Sequence, residues 1–168
     1  MVSALESDRI DGGTGLALRL GTVMDLHQDR TAIVVAEHGS AWRGWVDRFR
    51  VGTPDVVVIR QHDDEGLLDL ALRVRTEMQA LTESGVDIAR AVVAGGDRVD
   101  PEAISARALA IKALVAPMVS EGEGTLILDG VGSGATGMAA LATTVAAQVN
   151  GTGVLVTSPA LEAIAAVA

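Results

Sequence analysis

The residues best placed to do chemistry fall in two short clusters, Glu37-His38-Gly39-Ser40 and Asp129-Gly130-Val131-Gly132-Ser133-Gly134-Ala135-Thr136-Gly137. The second follows the apolar run Thr125 to Leu128, which reads as a buried strand, and precedes a small-residue helix from roughly Met138 to Val149. A strand, a glycine-rich loop and a helix in that order can aim free backbone N–H groups at an anion. Gly132 to Gly137 also matches G-x-G-x-x-G, the spacing that lets backbone approach a pyrophosphate. This copy belongs to the fourth strand-helix unit, however, and the next strand ends in Thr157-Ser158 instead of an acidic residue. A tight strand-helix turn is the plainer reading of the same glycines.

Imidazole and carboxylate chemistry is the other option. His38 and His62 fall at predicted strand ends near Glu37, Asp63, Asp64 and Asp129. Such groups can hold a divalent ion or move protons, but no spacing here is diagnostic of either. Ser40 and Ser133 lie outside G-x-S-x-G, so neither reads as a nucleophile. The absence of cysteine removes disulfides, thiolate nucleophiles and Cys-ligated metal.

These clusters need a frame to position them. The chain has 168 residues, 49% of them apolar, enough for one domain with a real core. With one Phe, two Trp and no Tyr, that core must be built from Ala, Val and Leu in close-packed layers. A formal net charge of −9 argues against nonspecific binding to nucleic acid or to an anionic membrane. No apolar run reaches the roughly 18 residues of a membrane span. The N-terminus lacks the pattern of a secretory signal, so a cytoplasmic protein is expected.

Residues 1 to 15 read as a loose arm, and Leu16 to Met24 as an extra strand ahead of the main pattern. From Thr31 apolar runs alternate with amphipathic stretches. Strands are expected at Thr31–Ala36, Val56–Ile59, Ala89–Ala94, Thr125–Leu128 and Val154–Val156. Trp42, Trp45 and Phe49 form a helical stripe, as do Leu67, Ala71, Val74, Met78 and Leu81, with an Asp69–Arg73 pair on the opposite side. Asp100-Pro101 opens a helix whose expected face is Ile104, Ala108, Ile111, Val115 and Met118, ending at Pro117 and Glu121 to Gly124. Residues 161–168 read as a short terminal helix.

This alternation predicts a single α/β domain over residues 1–168, a Rossmann-like three-layer sandwich on a five-stranded, mostly parallel sheet of order 3-2-1-4-5. In that order the strand ending at Ala36 lies beside the strand ending at Leu128. A ligand crevice is then expected at their carboxyl ends. The helix from Met138 to Val149 has almost no charged face, which makes a homo-oligomer the expected assembly.

The element order and parts of both clusters resemble the universal stress protein family of small nucleotide-binding α/β folds. In that family the first strand ends in an acidic residue followed by Gly-Ser, to which Ala36-Glu37-His38-Gly39-Ser40 is similar. The family's glycine loop begins Gly-x-x-Gly, matched by Gly134-Ala135-Thr136-Gly137. Its second half, Gly with Ser or Thr nine residues on, is replaced by Ala147-Gln148. The resemblance implies ATP or another nucleotide as ligand, a dimer and no catalysis. Leu126 to Gly134 is also similar to the strand-end segment of caspase-like peptidases, with Val131-Gly132 in place of their Cys-His and Gly95-Gly96 in place of their His-Gly. That would imply an inactive, binding-only relative.

The expected ligand is therefore a nucleotide or small anion at Glu37, His38, Gly39, Ser40, Asp129, Gly130, Gly132, Ser133, Gly134 and Gly137, with no catalytic or metal-binding residues. A ligand-free interaction domain and a small hydrolase using His38, His62 and carboxylates are the alternatives. On the first reading, Gly134→Val is expected to abolish binding and leave the fold intact.

Overall fold

The computed structural model describes residues 30–53 and 55–167; the arm and the extra strand expected before Arg30 lie outside them. The elements run β1 (Thr31–Ala36), α1 (Trp42–Arg50), β2 (Asp55–Arg60), α2 (Leu67–Glu83), β3 (Ile88–Gly95), α3 (Pro101–Glu121), β4 (Gly124–Gly130), α4 (Ser133–Gln148), β5 (Val154–Thr157) and α5 (Pro159–Val167). All neighbouring strands pair in parallel, giving a Rossmann-like sheet with helices on both sides.

The strand order is β2-β1-β3-β4-β5, which corrects the expected 3-2-1-4-5. Composition explains the exchange. β2 begins and ends on the exposed charges Asp55 and Arg60 and is only partly covered, as suits an edge. In β3 the run Ala91 to Gly95 is buried on both faces, which only an interior position provides. β3 therefore separates β1 from β4, and the reversal of strand order falls between β1 and β3.

Alternate residues of the strands feed two cores. Ile33, Val35, Ala91, Val93, Leu126 and Leu128 meet α2, α3 and α4 on one face. Ala32, Val34 and Val92 meet Val46 and Phe49 of α1 on the other, with Trp42 and Trp45 partly buried beside them. Beyond β3 this second face is thinly covered, and Leu155 on β5 is 61% exposed.

α2 buries the expected stripe, but Arg73 pairs with Glu65 and not with Asp69. α3 is capped by Asp100, whose carboxylate accepts from the Ala103 N–H at 3.1 Å. It runs through Pro117 to a left-handed Gly122, instead of stopping at the proline. Its buried face is Ala103, Ala106, Arg107, Ala110, Ile111, Leu114 and Met118, so Ile104 and Ala108 of the expected stripe face outward. At 21 residues α3 is long and apolar enough to cross a membrane, yet it packs against α2, β3 and β4 with Arg107 at its heart. α4 begins at Ser133, five residues ahead of its expected start at Met138.

Candidate functional site

Three loops leave the carboxyl ends of β1, β3 and β4 on one rim, and they meet at Gly96. A Cβ on Gly96 would stand 2.7 Å from the His38 carbonyl oxygen. A Cβ on Gly134 would fall on the Gly96 carbonyl oxygen itself. The Ser40 and Ser133 segments thus share a rim, as expected, but they are joined through the β3 loop and are not side by side.

The space beneath is filled by an ion pair. Glu37 continues the wholly buried strand β1 and is itself 5% exposed. Its Oε1 accepts from Arg107 Nε at 2.7 Å, and its Oε2 from Arg107 Nη2 at 2.7 Å and from the Gly96 N–H at 2.8 Å. Arg107 Nη1 donates to the Arg98 carbonyl at 2.7 Å and Nη2 also to the Gly96 carbonyl at 3.3 Å. This bidentate pair with satisfied flanks ties β1, β3 and α3 together. Gly95 makes room for it: a Cβ there would come within 2.8 Å of Met138 Cε and 3.2 Å of Arg107 Nε. Arg107 is the important residue that sequence reading missed. The available signal was a carboxylate directly after a fully apolar strand, which must find a buried cation.

The other rim residues are tied to their neighbours. The His38 N–H donates to Gln61 Oε1 at 2.9 Å, and its ring Nε2 lies 2.8 Å from the His62 carbonyl, which places the proton on that nitrogen. The His62 N–H donates to Glu65 Oε2 at 3.0 Å. Ser40 Oγ donates to the Glu37 carbonyl at 2.7 Å. Asp129 Oδ2 accepts from the Trp45 indole N–H at 2.7 Å, joining β4 to α1. Gly39 takes φ +73° in an open turn. His38 and His62 are not joined to a carboxylate through their rings, and no group of three His, Asp or Glu that could hold a metal occurs among the described residues.

Three of the four glycines around the start of α4, Gly130, Gly132 and Gly134, have an intramolecular reason. A Cβ on Gly130 would stand 2.5 Å from the Gly134 carbonyl oxygen. Gly132 caps α4 at φ 54° and ψ −128°, a conformation suited to glycine. Gly137 would bring a Cβ only into ordinary contact, 3.6 Å from Val99 Cγ1. The fold needs Gly134 to have no side chain, which corrects the expectation that Gly134→Val leaves the fold intact. What the loop does expose is the first turn of α4. That turn carries no acidic residue and no side-chain cap, and Ser133 and Thr136 face outward. Asp97 lies alongside, its Cβ 3.7 Å from where a Gly132 Cβ would be.

No family model matches the sequence, and no curated protein matches it. The fold is similar to that of a short-chain type dehydrogenase/reductase from Mycobacterium ulcerans, with a TM-score of 0.60 at 15% identity over 78% of this chain and 66% of that one. The structure of gox2181 is similar too, with a TM-score of 0.51 at 13% identity over 78% of this chain and 70% of that one. Likeness at such low identity establishes the Rossmann-like fold alone.

Proposed function

We propose that this protein is a non-catalytic binding module that holds a nucleotide or another phosphate-bearing small molecule at its carboxyl rim. The observation that carries this reading is the bare first turn of α4. The partial positive charge of that helix end meets no carboxylate or hydroxyl cap from the chain, while the Gly134 and Ala135 N–H groups donate to the Val131 and Gly132 carbonyls at 2.9 and 3.2 Å. The rigid Gly96–Gly134 junction holds that turn at the end of the sheet where doubly wound folds take ligands. Fold likeness to a dehydrogenase/reductase is in keeping with it, as is the resemblance to universal stress proteins.

The same reading includes self-association through α4. Its outer face carries Ala140, Thr143, Thr144, Ala147 and Gln148, with no charge among them. Thr143 and Thr144 donate back to the Ala139 and Ala140 carbonyls, both at 3.1 Å, which leaves this face with few free polar groups.

Thermal shift against ATP, ADP, AMP and inorganic phosphate tests the ligand. A compound that binds only the native state raises the midpoint in proportion to the logarithm of its concentration. Ser133→Asp should remove the shift while slightly stabilising the free protein, because its carboxylate competes for the helix end. Asp97→Asn should enlarge the shift. A flat panel with the natural sequence overturns the reading. It would favour a ligand-free interaction domain, to which the Glu37–Arg107 pair filling the crevice already lends support.

A further inference from the structure

A cavity of 430 Å³ opens at the opposite, amino end of the sheet, on the side of α1. Its volume falls in the range of about 300–1,000 Å³ usual for small-molecule sites. Arg30 and Arg90 stand at the starts of β1 and β3, the Thr53 and Thr125 residues line it between them, and Leu155 supplies an apolar wall. Glu123, on the Arg30 side, and Ala89 with the backbone at Gly52, Gly124 and Gly153 complete the lining.

The charges here are incompletely matched. Arg30 is 11% exposed; its Nε approaches Asp87 Oδ2 at 2.9 Å and its Nη1 lies 3.0 Å from Glu123 Oε1. The pair is poorly aligned: Arg30 Nε and Nη2 and Asp87 Oδ1 are all buried without a well-directed hydrogen bond among the described residues. The Arg90 guanidinium reaches across to Gly52, where a Cβ would stand 3.5 Å from Nη1. Among the described residues it has no carboxylate partner. The cation free to meet a ligand is Arg90, and with the two threonines and one apolar wall it describes the lining of an oxyanion site.

We propose that this cavity binds a small organic oxyanion, its charged end on Arg90 and a short apolar group against Leu155. The site is independent of the carboxyl rim, since its lining comes from the starts of the strands. The probe is phenyl phosphate, titrated into the full chain and followed by the backbone amide resonances. The amides of Gly52, Gly124 and Gly153 should move saturably. Inorganic phosphate, lacking the apolar group, should bind about tenfold more weakly, and Arg90→Ala should weaken phenyl phosphate by about tenfold or more. Leu155→Glu, at an exposed position, should weaken it similarly by repelling the anion. The proposal is overturned if those amides stay still, or if they move equally in Arg90→Ala. It is overturned too if only the amides from Ser133 to Thr136 respond, which would place the anion at the carboxyl rim.

Discussion

Two arginines at opposite ends of the sheet show how differently this fold treats its two rims. Arg107 is 1% exposed at its side chain, and each guanidinium nitrogen donates to a partner within the protein. Arg30 lies against Asp87 and Glu123, whose side chains are 41% and 54% exposed, and its buried Nη2 has no partner among the described residues. The carboxyl rim is closed by chain pressed on chain, whereas among the described residues the amino rim keeps an opening of 430 Å³. The difference is one of surroundings: Arg107 is enclosed with a buried carboxylate, and Arg30 bridges two carboxylates that reach water.

The largest test of this contrast is Arg107→Ala. It leaves Glu37 buried without its cation and should cost about 3–5 kcal/mol in urea unfolding. Arg30→Ala removes an ion pair with solvent-exposed carboxylates and should cost about 1 kcal/mol or less. Equal costs would erase the distinction between the rims. Next come the glycines. Gly134→Ala drives a methyl into the Gly96 carbonyl and should lose about 1–3 kcal/mol, as overpacking does. Gly137→Ala, three residues along the same helix, meets only Val99 at 3.6 Å. It should gain up to about 1 kcal/mol from helix propensity. If both are neutral, the junction at Gly96 is looser than its geometry implies.

The smallest effect lies beside the closed rim, at Glu65. The Arg73 hydrogen bond holds its carboxyl below the ordinary glutamate range, assisted by the His62 N–H and opposed by burial. A depressed value means that the stabilisation is present above the ordinary glutamate range and is lost as pH falls through the folded-state value. The difference in urea midpoint between the natural chain and Glu65→Gln should therefore shrink on acidification from about pH 6 to about pH 3, around the reference glutamate value. A constant difference would detach Glu65 from the acid response.

Periodicity made the layers legible. Thr31 to Ala36 had to be covered on both faces, and Leu67, Ala71, Val74 and Met78 had to face inward. Strand order was another matter, because burial patterns report how deeply a strand sits and not which strand lies beside it. The charged ends of β2 were the available clue to its edge position. α3 misled by a different route. Arg107, absent from the expected apolar face, lies within, and its burial turns Ile104 and Ala108 outward. The glycines marked the passage from β4 to α4, but Ser133 to Gly137 of the expected loop is helix. Spacing cannot tell whether a missing side chain makes room for a phosphate or for another stretch of main chain, and at Gly134 it is the latter.

The hydrogen bond from the Gly96 amide to Glu37 has a consequence for how the molecule breathes. Gly96 lies just past the last residue of β3, where an amide would ordinarily trade its proton with solvent quickly. Here deuterium can enter only when the carboxylate swings away, and the same movement frees α3 from β1. The exchange rate at this one amide should therefore match the slow core of β1 and not the neighbouring loop, making it a built-in gauge of whether three distant parts of the chain open together.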